Sequence, residues 1–220
     1  MRLLAIECAT ECCSVALFEQ DELLGGAAQV LGRGHAEALV PMIAALPGKG
    51  EAGRIAVSLG PGSFTGLRVG LAAARALALA WRAELRGYPT QALVAAMARA
   101  QVYAQQGAVP VSVAMSGGHG EWFLGEFGAD GTALAPPQSL TPAAAALAAQ
   151  AVLVAGSQAA ALVAARGTGQ ALTILPDARQ LLLLGPALLS PAVQLHYGRP
   201  PDARLPGGAV PGGALTEAPQ

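Results

Sequence analysis

The chain has 220 residues, of which 53% are hydrophobic, and this supplies enough apolar material for one sizeable core or two small lobes. Lysine and arginine together number 13, aspartate and glutamate 14, so the formal net charge is -1. A surface that binds nucleic acid unaided needs clustered basic residues, so this balance argues against an autonomous nucleic-acid-binding protein.

Three cysteines, Cys8, Cys12 and Cys13, lie close together near the start of the chain. Their odd number and the missing C-x-x-C repeat are unlike a zinc site or a disulfide framework, so we expect small buried residues in a reducing compartment. The first apolar run is shorter than that of a signal peptide, and arginines interrupt the apolar stretch at residues 67–81. The sequence therefore predicts a cytoplasmic protein.

The first half of the chain alternates short apolar runs with helical patterns. Strands are predicted at residues 3–6, 14–18, 23–31 and 54–59, and helices at residues 35–46, 65–83 and 90–105. Thr90 is the expected N-cap of the last of these helices.

The second half opens in the same way, with a strand and a hairpin. Strands are predicted at residues 109–115, 121–127, 152–155 and 172–175, and helices at residues 142–149, 158–166 and 178–189. This pattern predicts a mixed α/β chain of two similar lobes, at residues 1–105 and 106–190. A glycine- and proline-rich tail follows at residues 191–220.

The strongest local signal is the glycine-rich loop at residues 60–66, between a predicted strand and a predicted helix. Glycines allow positive φ and a close backbone approach, so anion binding at this helix N-terminus is one interpretation. The loop lacks the Gly-Lys-Ser/Thr ending of a Walker loop. The alternative is that the glycines and Pro61 make a tight turn that packs the helix on the sheet.

The turn after the first strand is the second candidate. The Thr10 hydroxyl and neighbouring backbone N–H groups can contact a phosphate, although Ala9 places a methyl group where close approach favours glycine. Glu7 and Glu11 are either an acid pair or solvated surface groups. The candidate nucleotide or anion site therefore comprises Glu7, Thr10, Gly60, Gly62, Ser63, Thr65 and Gly66.

Other chemistry has little support in the sequence. His35, His119 and His196 are far apart and have no histidine three or four residues away, so no metal site is predicted. Ser14 and Ser63 lack the G-x-S-x-G frame of a hydrolase. We therefore predict no catalytic residue and no required cofactor.

Two segments together resemble the TsaB (YeaZ) family of bacterial tRNA threonylcarbamoyladenosine biosynthesis proteins. They are residues 3–17, LLAIECATECCSVAL, and residues 60–70, GPGSFTGLRVG. The helix that begins at His35 is also similar to the first helix of the family. The resemblance covers residues 1–105 and thins beyond them, where Ser116-Gly117-Gly118 replaces a usual Asp-Ala-Arg run and the family's Pro-x-Tyr-x-Arg segment aligns with residues 206–210.

The resemblance implies a two-lobed actin-like (ribonuclease H-like) fold and a non-catalytic accessory subunit. Its expected partner is TsaD, which transfers a threonylcarbamoyl group to the tRNA adenosine next to the anticodon, and TsaE, an ATPase, binds the pair. A homodimer is expected for the chain alone, with tRNA contacted only through the complex and ATP bound weakly at most. The alternative is an actin-like nucleotide-dependent phosphotransferase or hydrolase that acts alone through the Thr10 turn and the glycine-rich loop.

The partner interface is predicted on the helices at residues 35–46 and 67–81, whose small apolar surfaces allow close helix packing. The predicted contact residues are His35, Leu39, Met42, Ile43, Leu67, Leu71, Ala74 and Leu77.

Overall fold

The computed structural model describes residues 1–198, which form two five-stranded mixed sheets flanked by helices. The first sheet contains β1 (Arg2–Glu7), β2 (Cys12–Glu19), β3 (Glu22–Val30), β4 (Arg54–Ser58) and β5 (Glu84–Tyr88). Its order is β3-β2-β1-β4-β5, in which β1 to β3 are antiparallel and β4 and β5 run parallel to β1.

The second sheet repeats this plan. It contains β6 (Val111–Ser116), β7 (Trp122–Phe127), β8 (Gln138–Leu140), β9 (Leu153–Ala155) and β10 (Gln170–Leu172). From one edge the order is β8-β7-β6-β9-β10, with three antiparallel strands followed by two parallel ones. The repeated arrangement confirms the predicted two-lobed, ribonuclease H-like fold class.

Within residues 1–198, five α-helices accompany the sheets. They are α1 (His35–Ala44), α2 (Phe64–Trp81), α3 (Thr90–Gln106), α4 (Pro142–Ala148) and α5 (Ala159–Arg166). Helices α1 and α2 share one hydrophobic core with the apolar side chains of β1, β2 and β4. The alternation of side chains along a strand explains this, since every second residue of β1 and β2 faces these helices.

Helix α3 lies in a core that both sheets share. Its residues Leu93 and Val94 are fully buried, and they belong to the same cluster as Phe18 of the first sheet and Val113 of the second. A helix buried on several sides carries apolar or small residues all round, which the Ala-rich sequence of α3 provides. The predicted boundary at residue 105 therefore separates two sheets that share a core.

The predicted α-helix at residues 178–189 is wrong. The segment forms two 3₁₀ turns, Ala178–Leu183 and Pro186–Leu188, separated by extended residues. Pro186 lacks an N–H group and cannot continue a helix that precedes it.

This segment also returns to the first sheet, although the sequence assigned it to the second lobe. The Ala178 N–H donates to Ser14 Oγ at 2.9 Å, and Leu181 is buried in the shared core. Ser190 exchanges backbone hydrogen bonds with Gly87 of β5, so the segment closes that edge of the sheet.

Three further expectations differ from the structure. Strands β5 and β8 were not predicted, and β10 begins two residues before the predicted strand at 172–175. Thr90 is the first helical residue of α3, and its hydroxyl accepts a hydrogen bond from the Gly60 N–H at 3.2 Å in place of capping the helix. Most of the predicted tail, including residues 206–210, lies outside the described residues.

Candidate functional site

The turn between β1 and β2 carries the first predicted anion-binding residues. Ala9 is 1% exposed and Thr10 7%, so both are buried beneath neighbouring segments. The Thr10 hydroxyl accepts a hydrogen bond from the Cys12 N–H at 3.3 Å, and the Thr10 carbonyl lies 2.8 Å from Nε2 of His35. These contacts use the polar groups of the turn to close it and to hold the start of α1.

Glu7 lies at the end of β1 with its carboxyl group directed inward and fully buried. The Ala9 N–H donates to Glu7 Oε1 at 2.7 Å, and the Tyr88 hydroxyl lies 3.2 Å from Oε2 and 3.0 Å from the Ile6 carbonyl. Burial raises the pKa of Glu7 to about 7, because hydrogen bonds from Ala9, Ser58 and Tyr88 offset only part of the desolvation. Glu7 is therefore a buried structural carboxyl group, and it forms no solvated acid pair with the half-exposed Glu11.

The glycine-rich loop packs directly on this turn. The Ser63 N–H donates to the Ala9 carbonyl at 2.7 Å. A methyl group added at Gly62 would overlap the same carbonyl oxygen, and one added at Gly66 would overlap the carbonyl oxygen of Cys8. The glycines thus make room for another part of the chain, as the tight-turn alternative requires.

The other loop residues support the same interpretation. Gly60 has φ +98° and precedes a cis peptide bond to Pro61, and its open side faces the His196 carbonyl. Ser63 is the N-cap of α2, and its hydroxyl accepts from the Gly66 N–H at 3.2 Å. Thr65 is exposed on the first turn of α2. The structure therefore brings the glycine-rich loop and the β1–β2 turn together. The groups described here mainly contact each other.

The predicted partner-contact residues lie mostly in the core of the chain itself. His35, Leu39, Met42, Ile43, Leu67, Leu71 and Ala74 are all buried, and Leu77 is half-buried. Buried side chains are not available to a partner, so the prediction of these seven residues as contacts is wrong. The apolar stripe that the sequence revealed is the inner face of each helix.

A different stripe of α2 faces outward. Its members are small or apolar and exposed, and we call them the open face of α2: Ala72, Ala76, Leu79 and Ala80. Leu79 is 84% exposed, and Val40 on the neighbouring α1 is 58% exposed. Sequence reasoning missed this face because α2 carries alanine and leucine on every side.

Helix α2 is also, among residues 1–198, the one helix that is long and apolar enough to cross a membrane by length and composition alone. This is weak evidence, since core helices of soluble proteins pass the same test. Five of its residues are buried against the first sheet.

An aromatic and cationic cluster stands at the start of α2, which sequence reasoning did not assign. The Arg68 guanidinium lies 3.7 Å from the ring centroid of Phe64, and its Nε donates to the Tyr197 hydroxyl at 3.2 Å. Arg75 donates to the Val193 carbonyl at 3.3 Å. These contacts fasten the last described residues along α2.

Across residues 1–198, no group of three or more histidine, cysteine, aspartate or glutamate side chains is placed to hold a metal ion. His35 is buried beside Thr10, whereas His119 and His196 are exposed on separate segments.

Comparison with known proteins gives consistent relatives. The family model described as "TsaD: tRNA N6-adenosine threonylcarbamoyltransferase" matches residues 25–182. The tRNA threonylcarbamoyladenosine biosynthesis protein TsaB of Escherichia coli (strain K12) is 34% identical over 135 residues, which cover 59% of this chain and 56% of that protein. That alignment therefore spans little more than half of the relative.

Solved structures agree along most of the chain. YeaZ from Pseudomonas aeruginosa superposes with a TM-score of 0.71 and 25% identity, covering 89% of this chain and 99% of that one. A second structure, described as an uncharacterized protein with similarity to peptidase YEAZ from Pseudomonas aeruginosa, gives a TM-score of 0.66 and 28% identity. It covers 82% of this chain and 88% of its own.

Proposed function

Because the chain belongs to the TsaB (YeaZ) family, we propose that it is a non-catalytic accessory subunit that binds and activates TsaD for threonylcarbamoyl transfer to tRNA. The modified base is the adenosine next to the anticodon, and the chain contacts tRNA only through the complex. In this proposal the protein acts in the cytoplasm, TsaE joins the pair, and a homodimer forms when the partner is missing.

The observation that carries the proposal is the packing of the glycine-rich loop on the β1–β2 turn. A phosphate site needs backbone N–H groups and glycine surfaces that face a ligand. Here the Ser63 N–H donates a hydrogen bond to the Ala9 carbonyl. The Cα atoms of Gly62 and Gly66 pack against carbonyl oxygens of the turn. The same residues therefore act as a structural junction, which suits a subunit that supports a catalytic partner.

The open face of α2 supports the second part of the proposal. Alanines spaced by four residues let a helix of another chain approach closely, and Leu79 presents an exposed apolar side chain beside them. Exposed apolar patches of this kind mark protein–protein contact sites. We therefore assign TsaD, and the second copy in the homodimer, to this face.

Reconstitution tests the accessory role. Purified chain alone, TsaD with TsaE, and all three together are incubated with tRNA, ATP and the threonylcarbamoyl donor, and modified adenosine is measured. We expect modification only in mixtures that contain TsaD, and a strong increase when the chain is added. Modification by the chain alone, or no effect of the chain on the mixture, would contradict the proposal.

A matched pair of surface variants tests the docking face. Leu79→Asp places a carboxylate on the open face, whereas Leu147→Asp makes the same change on α4, where Leu147 is 90% exposed. We expect Leu79→Asp to weaken association with TsaD by about tenfold or more, since a charge must be desolvated at the contact. Leu147→Asp should bind like the native chain, and equal binding by both variants would move the interface elsewhere.

A further inference from the structure

Two of the three cysteines face each other inside the first lobe. The Sγ atoms of Cys8 and Cys13 are 3.7 Å apart, and both residues are fully buried. All three cysteines are free thiols. None of the roles described above uses this pair.

The strand register explains why these two residues meet. Glu7 of β1 is paired directly with Ser14 of β2, so Cys8 and Cys13 are the next facing positions toward the turn. Directly opposed residues of an antiparallel pair have Cα atoms about 4.5 to 5.5 Å apart, which lies within the range that a disulfide spans.

The third cysteine points the other way. Cys8 and Cys13 belong to the core cluster beneath α1 and α2, together with Ile6 and Val15. Side chains alternate along a strand, so Cys12 projects from the opposite face of the sheet. The geometry therefore selects one pair out of three.

We propose that Cys8 and Cys13 form a reversible intrachain disulfide when the protein meets hydrogen peroxide, and that this bond staples the β1–β2 hairpin. The inference is independent of the accessory role proposed above. It assigns a modification site to residues that otherwise serve only as small core side chains.

The chemistry needs one peroxide molecule for each disulfide. The Cys13 thiolate attacks a peroxide oxygen, the O–O bond breaks, and hydroxide leaves as water after taking up a proton, which yields a sulfenic acid. The Cys8 thiolate then attacks the Cys13 sulfur, the S–O bond breaks, and a second water leaves. Two electrons pass from the sulfurs to the peroxide, and a dithiol reductant reverses the step.

The order of attack follows from the contact between the thiols. The hydrogen bond between the two thiols lowers the pKa of Cys13, and the same bond together with burial raises the pKa of Cys8. Cys13 is thus the better first nucleophile. Because both thiols are buried, the reaction requires local opening of the turn and is expected to be slower than that of an exposed thiol.

The disulfide would form at the residue on which the start of α2 packs. A methyl group added at Gly70 of α2 would lie 3.3 Å from Cys8 Cβ, and one added at Gly66 would overlap the Cys8 carbonyl. The helix therefore rests directly on this residue. Closing a short loop in the unfolded chain stabilises the native hairpin, so the oxidised protein is expected to melt at a higher temperature.

Peptide mapping of the full chain tests the proposal. The chain is treated with hydrogen peroxide, alkylated under denaturing conditions and cleaved after Glu7, Glu11 and Glu19, which separates residues 8–11 from residues 12–19. We expect these two peptides joined by a disulfide, with fragmentation that places the bond on Cys13, and we expect dithiothreitol to release them.

Variants and a thermal melt complete the experiment. Cys12→Ala is the matched control and should keep the linked peptides, whereas Cys8→Ala and Cys13→Ala should lose them. Assignment by fragmentation in the native chain stands even where a core variant does not fold. Unlinked peptides, a bond to Cys12, bonds between chains, or an unchanged or lower melting temperature of the oxidised protein would each overturn the proposal.

Discussion

The carboxyl group of Glu7 lies where the ends of β1, β4 and β5 meet, held by the Ala9 N–H and the Tyr88 hydroxyl. Glu7 is fully buried, so ionising its carboxyl group costs free energy because the fold excludes water from it. Tyr88 shows the same effect, since burial raises the pKa of its phenol well above the usual range. Burial therefore favours the protonated, neutral forms of both Glu7 and Tyr88 at this site.

The first prediction concerns pH. The pKa of Glu7 is raised from 4.5 to about 7 in the folded chain, so the folded state holds a proton that the unfolded state releases between these values. Stability from this group is present below pH 4.5 and is lost as pH rises to about 7. Relative to Glu7→Gln, which stays neutral, the native chain should lose roughly 3 kcal/mol between pH 4.5 and pH 8.

Urea denaturation of both proteins across this pH range measures the difference. Glu11→Gln is the matched control, because Glu11 is half-exposed on the same turn, and it should follow the native curve. Parallel curves for native and Glu7→Gln proteins would show that Glu7 ionises without penalty.

At the scale of elements, two glycines near the start of α2 set its position, because they allow the helix to pack closely on the end of β1. Gly66 lies in the first turn of the helix against the Cys8 carbonyl, and Gly70 lies one turn later against the Cys8 side chain. These contacts let the helix axis approach β1 more closely than any larger residue allows. The glycines of this segment therefore determine how α2 rests on the sheet.

The second prediction is that Gly66→Ala destabilises the chain by about 1 to 3 kcal/mol, because the new methyl group overlaps a backbone oxygen that cannot move freely. Helix propensity alone predicts a gain of about 1 kcal/mol, so the sign of the change identifies the contact. Gly185→Ala is the control, since nothing lies within 4 Å of a methyl group there. Equilibrium unfolding in urea gives both values, and a stabilised Gly66→Ala protein would contradict this account.

The third prediction distinguishes the two faces of α2. Leu71→Asp should reduce stability by about 3 kcal/mol or more, because Leu71 is 6% exposed and a carboxylate there must be desolvated or protonated. Leu79→Asp should melt within a few degrees of the native chain, since that side chain is 84% exposed. Circular dichroism melts compare them, and equal losses in both variants would mean that Leu79 also packs in a core.

At the scale of the whole molecule, the two sheets are joined by α3 and by the return of the chain to β5. The shared core around α3 contains residues of both sheets, and residues 178–190, which follow the second sheet in the chain, return to contact the first. Separate unfolding of the lobes would expose this common core to water. We therefore expect one cooperative transition.

The fourth prediction uses the two tryptophans, since Trp81 packs in the first lobe and Trp122 is the first residue of β7 in the second sheet. Trp81→Phe leaves a fluorescence reporter in the second lobe, and Trp122→Phe leaves one in the first. The urea midpoint from the single remaining tryptophan should match the midpoint from circular dichroism within each variant. Distinct midpoints would show that the lobes unfold independently.

The sequence alone determined the local features of this protein. Hydrophobic periodicity predicted most strands and α1, α2 and α3, because the period of apolar residues follows directly from strand and helix geometry. It missed β5, in which Glu84 forms half-buried ion pairs with Arg86 of the same strand and with Arg54 of β4, so the strand carries charges instead of an apolar run. The family resemblance of residues 3–17 and 60–70 was likewise legible in the sequence.

Only the tertiary structure determined which parts of the chain the glycine-rich loop and the faces of α2 contact. The glycine-rich loop was equally compatible with a ligand and with a tight turn, and the structure shows that Gly62 and Gly66 make room for Ala9 and Cys8 of the β1–β2 turn. Likewise, the apolar residues of α2 surround the helix, so periodicity did not reveal which stripe is buried. Both questions depend on segments about 50 residues apart in the chain, and their relative placement follows from the packing of the whole core, which no local pattern encodes.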